Sequence, residues 1–120
     1  MQNFKLTAAE LNMAEILWDK APLKSAELVT LCQERFDWKK STTYTILRRL
    51  EEKKVFANES GTITALISKE DFFSAQSRMF VEESFGGSLP KFIAAFAGKS
   101  KLSKSEICEL KRIIDEYDGN

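Results

Sequence analysis

The stretch from Asp37 to Lys54, DWKKSTTYTILRRLEEKK, constrains the fold most, because it reads as a helix with two chemically opposed sides. Thr43, Ile46, Leu47 and Leu50 recur at helical spacing and predict an inward face, which leaves Thr42, Tyr44, Thr45, Arg48 and Arg49 pointing outward. Ser41 or Thr42 supplies the hydroxyl for an N-cap. From Lys39 to Lys54 six basic residues stand against two acidic ones, a net charge of +4. A side of hydroxyls and guanidinium groups suits a duplex: threonines bond phosphates or lay a methyl against thymine, and arginine pairs with phosphate. The whole chain carries 18 basic and 18 acidic residues, so attraction to nucleic acid has to come from one asymmetric surface rather than from bulk charge.

The flanking patterns say what this helix is embedded in. Thr7-Ala8-Ala9-Glu10 has capping-box spacing and opens a first helix, with Leu11, Ala14, Ile16, Leu17 and Trp18 on its buried side. Asp19 to Pro22 ends it, since the residue before a proline is pushed out of helical dihedrals. Ser25 is read as the cap of a second helix reaching about Phe36, with Leu28, Leu31, Cys32 and Phe36 in one stripe. After Lys54 the period changes: Val55 to Asn58 reads as a short strand, Glu59-Ser60-Gly61 as a turn and Thr62 to Ile67 as a β-branched strand. Three short helices and a hairpin form the winged helix-turn-helix order, in which the third helix enters the major groove. This predicts a DNA-binding domain over 1–68.

Residues 69–120 predict a second, helical region. Phe72, Phe73, Met79, Phe80, Val81 and Phe85 lie in one segment closed by Gly86-Gly87. Ser88 and Pro90 open another with Phe92, Ile93 and Phe96, closed by Gly98. Ser103-Lys104-Ser105-Glu106 repeats the capping-box spacing ahead of Ile107, Leu110, Ile113 and Ile114. About fifty residues of short amphipathic helices cannot bury all their apolar faces alone, which predicts a homodimer interface built from Phe72, Phe80, Phe85, Phe92, Phe96, Ile107, Leu110, Ile113 and Ile114. The fold class expected is therefore mainly α with a small β-hairpin.

Other functions lack their residues. The chain has no histidine, two widely separated cysteines, no nucleophile elbow and no glycine-rich phosphate loop, so neither an enzyme nor a metal or cofactor site is expected. Cys32 and Cys108 are read as reduced, largely buried thiols. No apolar run approaches the roughly 20 residues of a membrane span, and Met1-Gln2-Asn3-Phe4-Lys5 is no signal-peptide core, which predicts a bacterial cytoplasmic protein.

Taken together these residues resemble the penicillinase-repressor family, which includes repressors of β-lactamase and methicillin-resistance genes and, more distantly, copper-responsive repressors. The resemblance runs over nearly the whole chain: Leu6-Thr7, Glu10 and Ile16-Leu17-Trp18; Ser25 to Leu28; Asp37-Trp38, Thr42, Thr45, Arg49-Leu50 and Lys53; then Phe80, Phe85-Gly86-Gly87, Leu89, Phe96 and Ser103 to Ile114. It implies a homodimeric repressor on a palindromic operator, often with TACA and TGTA half-sites. Ser41, Thr42, Tyr44, Thr45 and Arg49 stand at the family's DNA-contacting positions; the charge pattern adds Arg48, Lys39 and Lys40. Tyr44 is the residue most able to set a specificity different from that of relatives.

Four positions depart from the pattern. Leu11 replaces a frequent tryptophan. Ala95-Phe96 stands where the β-lactamase repressors have the Asn-Phe bond cut on induction, which removes the usual site for a sensor-protease partner. Cys108 alone remains where copper-responsive relatives carry a cysteine-rich motif. The hairpin is short and holds Glu59 but no basic residue between Val55 and Ser68, so it would repel phosphate. The acidic hairpin and zero net charge favour one rival, a winged-helix protein-interaction module that does not bind DNA. The Thr42, Thr45 and Arg49 surface favours the repressor.

Overall fold

The structure, a computed structural model, describes residues 4–117; Met1-Gln2-Asn3, the start of the stretch read as no signal peptide, lies outside them. Helix α1 (Ala8–Lys20) begins at the predicted capping box. The Thr7 hydroxyl accepts from the Glu10 N–H at 3.1 Å, and Glu10 Oε1 accepts from the Thr7 N–H at 2.9 Å. It ends at Ala21, extended at ψ 145° because Pro22 follows. A two-residue strand β1 (Leu23–Lys24) leads into α2 (Ser25–Phe36), and an Asp37 in the left-handed region (φ 57°) turns the chain toward α3 (Lys40–Glu52). Aspartate is one of the few non-glycine residues that tolerate this conformation.

Two of the expected caps are corrected. Ser25 is the first residue of α2 and not its N-cap. Lys24 holds that position, and the Ser25 N–H donates to the Gly61 carbonyl at 2.8 Å, because the chain enters the helix from a strand that pairs with its neighbour. The N-cap of α3 is Lys39, without a side-chain bond, so Ser41 and Thr42 lie inside the first turn with their hydroxyls facing outward.

Strands β2 (Phe56–Glu59) and β3 (Thr62–Ala65) form the hairpin. Its turn is only Ser60-Gly61, both at positive φ (53° and 89°), the geometry that matches strand twist in two-residue loops. The Asn58 side-chain oxygen accepts from the Gly61 N–H at 3.0 Å. The sheet has three antiparallel strands in the order β1-β3-β2, with Leu23 opposite Ile63 and Lys24 opposite Thr62. β1 escapes sequence reading because two residues carry no period.

The chain divides into two compact units, Met1–Arg78 and Met79–Asn120, with the division inside α4 (Lys69–Phe85). The first unit reaches past Ser68 because the opening turns of α4 pack on its core. Phe72 is 0% exposed, with its ring 5.6 Å from Phe4, 5.4 Å from Trp18 and 5.5 Å from Phe73. Phe72 is thus a core residue, and its assignment to a dimer interface is corrected: no surface of it is left for a partner. Beneath it, Met13, Leu17, Leu28, Leu47, Leu50, Val55, Phe56 and Ile63 fill the space between the helices and the sheet. Trp18 Nε1–H donates to the Ile67 carbonyl at 3.1 Å, tying α1 to the segment after the sheet.

The second unit contains the end of α4, α5 (Leu89–Ala97) and α6 (Lys104–Glu116). Gly86 (φ 59°) and Gly87 (φ 84°) close α4, and the Gly87 N–H reaches back to the Val81 carbonyl at 3.1 Å. The Ser88 hydroxyl caps α5 through the Lys91 N–H, and Ser103 with Glu106 makes the second capping box. Gly98 stays in right-handed dihedrals (φ −60°), so α5 does not end on a left-handed glycine. No described residue of this unit is buried. Cys108 is exposed on α6, correcting the expectation of two buried thiols; only Cys32 is buried.

Candidate nucleic-acid interface

The third helix holds the candidate site because its inner side is locked. Thr43, Ile46, Leu47 and Leu50 are all buried, as the spacing predicts, and Thr43 further ties its hydroxyl to the Lys39 carbonyl at 3.2 Å. With that side fixed, Lys39, Lys40, Ser41, Thr42, Thr45, Arg48 and Arg49 are exposed together along the opposite side. Tyr44 is half-buried against the core, with Lys40 Nζ 6.0 Å from its ring centroid, and Trp38 stacks on Phe36 at 4.8 Å. These aromatics anchor one flank of the helix. Thr45 spends its hydroxyl proton on the Ser41 carbonyl at 2.9 Å. Among the described residues Lys39, Arg48 and Arg49 pair with no carboxylate, so their charge is available to an external anion.

Lys53, by contrast, is drawn inward. Its ammonium bonds Glu10 Oε1 at 2.5 Å and the Lys5 carbonyl at 2.8 Å, while Glu10 itself is 1% exposed. Burial of Glu10 opposes its ionisation. The Lys53 hydrogen bond, the Thr7 backbone N–H, the ammonium charge and the Thr7 hydroxyl together outweigh burial and hold the carboxyl below its ordinary pKa. Sequence spacing reveals the capping role of Glu10. Its second partner lies 43 residues away, where no local signal reaches. On the other side of the helix the Cys32 thiol is pushed up by burial, which the Thr43 hydroxyl and the Arg35 charge only partly offset.

Two more features are set by the fold alone. A shallow groove of about 270 Å³ runs between the start of α1 and the outer side of α3, lined by Ala9, Ser41, Thr42, Thr45, Ile46 and Arg49. At the hairpin, exposed Glu59 lies opposite Thr62, which on its other edge faces Lys24, so the strand register puts a cation in the same row as the acid.

In the second unit Phe80, Phe85, Phe92 and Phe96 form a chain of ring contacts at 5.5 to 6.3 Å. Phe85, Phe92 and Leu110 are half-buried; Phe80, Phe96 (57%), Ile107, Ile113 and Ile114 (65%) are exposed. Between α5 and α6 lies an apolar cleft of about 310 Å³ that includes Phe92, Phe96, Leu110 and Ile113. Among the described residues no three His, Cys, Asp or Glu side chains come together as a metal site.

The model of the family described as penicillinase repressor matches residues 6–116. The chain belongs to the penicillinase repressor family. It is 24% identical over 119 residues to the methicillin resistance regulatory protein MecI of Staphylococcus aureus, covering 96% of this chain and 97% of that protein. It is also 24% identical to the Staphylococcus aureus penicillinase repressor over 116 residues, 93% of this chain and 92% of the relative. A solution structure of the Bacillus licheniformis BlaI monomeric form in complex with the blaP half-operator aligns with a TM-score of 0.49 and 22% identity, over 59% of this chain and 93% of that one. Membership agrees with the resemblance carried by the motifs from Leu6 to Ile114, and with a mostly helical chain bearing a winged helix. The penicillinase repressor family is one of DNA-binding transcriptional repressors. Within this member, no helix among the described residues is long and apolar enough to cross a membrane.

Proposed function

We propose that this member of the family is a sequence-specific repressor that acts as a homodimer on a palindromic operator. The observation that carries the reading is the outer side of α3, where Lys39, Lys40, Ser41, Thr42, Tyr44, Thr45, Arg48 and Arg49 present hydroxyls and unneutralised cations on a rigid, core-locked helix. A duplex supplies both complements, phosphate oxygens for the cations and base edges for the hydroxyls and the tyrosine. The dimer is supported by the second unit, whose phenylalanines and α6 isoleucines remain open in the single chain. Apolar surface of that kind is covered favourably by its own copy, at roughly 25 cal/mol per Å² removed from water. Two recognition helices one DNA turn apart, roughly 34 Å, would then enter successive major grooves.

The test is fluorescence anisotropy on a duplex from upstream of the protein's own gene against a scrambled duplex, across a salt series, with sedimentation for assembly. A preference for the upstream duplex, with log affinity falling against log salt by about 0.9 per phosphate contacted, supports the repressor. Equal, negligible binding to both would refute it and favour the protein-interaction module.

A further inference from the structure

We infer that the segment 4–7 is a brace between the end of α3 and α4, and that Gln76 is the positioning residue through which it sets the half-site spacing the protein accepts. The inference rests on the repressor reading and adds to it what holds the two α3 helices of a dimer at one separation. Two consecutive carbonyls of the segment are taken by different helices. The Phe4 carbonyl accepts from the Gln76 side-chain amide at 2.6 Å, and the Lys5 carbonyl accepts from the Lys53 ammonium at 2.8 Å. Lys53 is the C-cap of α3, and Gln76 stands on the second turn of α4. The Phe4 ring also packs on Phe72 at 5.6 Å, four residues before Gln76 and so on the same side of α4. Thr7 then caps α1, and Lys53 bonds Glu10 within that helix. One short segment thus joins α1, the end of α3 and α4.

The bond to Gln76 matters because of where α4 leads. From Lys69 to Phe85 it contains neither proline nor glycine, the usual causes of a kink, and it is the helix within which the first unit gives way to the second. Its direction on leaving the first unit is therefore set by where its opening turns are held. Phe72 and Phe73 hold its start on Trp18. Gln76 adds a second hold one turn beyond Phe72, about 6 Å along the axis. One hold lets a rod swing, and two fix its direction. Gln76 and Phe4 are both half-buried, which limits the access of water to the bond. Binding modules that are joined stiffly gain affinity only at the spacing that lets both engage, whereas a slack joint accepts several spacings.

The experiment varies the spacing. Two base pairs are inserted or deleted between the half-sites of the upstream duplex, which turns one half-site by about 70° on a duplex of roughly 10.5 base pairs per turn. Fluorescence anisotropy gives the affinities, with a duplex holding a single half-site as reference. The parent protein should lose about tenfold or more at either altered spacing, the avidity that a mismatched geometry forfeits. Gln76→Leu keeps the helix preference and removes the donor; its loss should fall below about threefold, with binding to the single half-site unchanged. Phe4→Ala gives a second arm and should flatten the spacing dependence in the same way. Both variants should stay folded in thermal unfolding, because Phe72 keeps its contacts with Trp18 and Phe73. A spacing penalty in both variants equal to that of the parent would overturn the brace. So would an equal loss on every duplex, the single half-site included, which marks a support of the fold and not of the spacing. A parent protein indifferent to spacing overturns it too and leaves the repressor reading standing. A parent protein that prefers no duplex over a scrambled one refutes the repressor reading itself, and the role of the brace with it.

Discussion

Replacing Lys53 by methionine tests how the first unit is held together. The ammonium gives a fully buried carboxylate its bond at 2.5 Å and also satisfies the Lys5 carbonyl at 2.8 Å. A charged hydrogen bond is worth about 1.5–3 kcal/mol and a neutral one about 1, while stripping one partner from a buried ion pair costs about 3–5 kcal/mol. Glu10 keeps the Thr7 N–H at 2.9 Å after the substitution, and the Lys53 side chain is itself 21% exposed, which allows water to approach. The lower end of that range therefore applies, and Lys53→Met is expected to cost about 3 kcal/mol at pH 7. In the parent protein the Glu10 pKa is depressed, so its contribution is complete above the ordinary carboxylate range and is lost as pH falls through and below that range. In Lys53→Met burial is left with less opposition and raises the Glu10 pKa; protonation on acidification then relieves the variant. The difference between parent and variant should shrink as pH drops from 7 toward 4. Urea unfolding followed by circular dichroism at the two pH values measures it. A cost below about 0.5 kcal/mol at pH 7, the size of an exposed pair, or one that is the same at both pH values, would mean that the Glu10–Lys53 pair does not stabilise the first unit as a buried ion pair.

Three further outcomes follow from the same geometry. Arg49→Ala should weaken binding to DNA by about 1–3 kcal/mol without loss of thermal stability, and unchanged anisotropy titrations in a folded variant would remove Arg49 from the interface. Ile113→Asp should give monomers by sedimentation, because a carboxylate within an apolar contact is left without a partner; an intact dimer would move the interface away from α6. Phe72→Ala should cost about 3–5 kcal/mol in urea unfolding of the first unit, the loss expected for a fully buried ring, and a cost under 1 kcal/mol would contradict its place in the core.

The parts of this protein that follow from neighbours in sequence were legible without coordinates. Both capping boxes, the inward set Thr43, Ile46, Leu47 and Leu50, the exposed Thr42, Thr45, Arg48 and Arg49 on the same helix and the hairpin after Lys54 rest on interactions spanning four residues or fewer, or on strand alternation, whereas Tyr44, expected to point outward, is half-buried against the core. Such patterns are written in spacing, and their order along the chain carried the family resemblance as well. Features that join distant segments were decided by the tertiary structure. Phe72 reads as part of an apolar stripe on α4, and only its packing against Phe4 and Trp18 assigns it to the first core and removes it from a partner-facing surface. Lys53 belongs by sequence to the basic cluster of α3, and only the approach of α1 withdraws its charge to Glu10. β1, the groove beside Ala9 and the row of Lys24, Thr62 and Glu59 exist because separate elements are brought into register. Helix caps and amphipathic periods are local energies repeated every few residues, while the choice of partner for a buried charge or ring depends on which segments the whole core forces together.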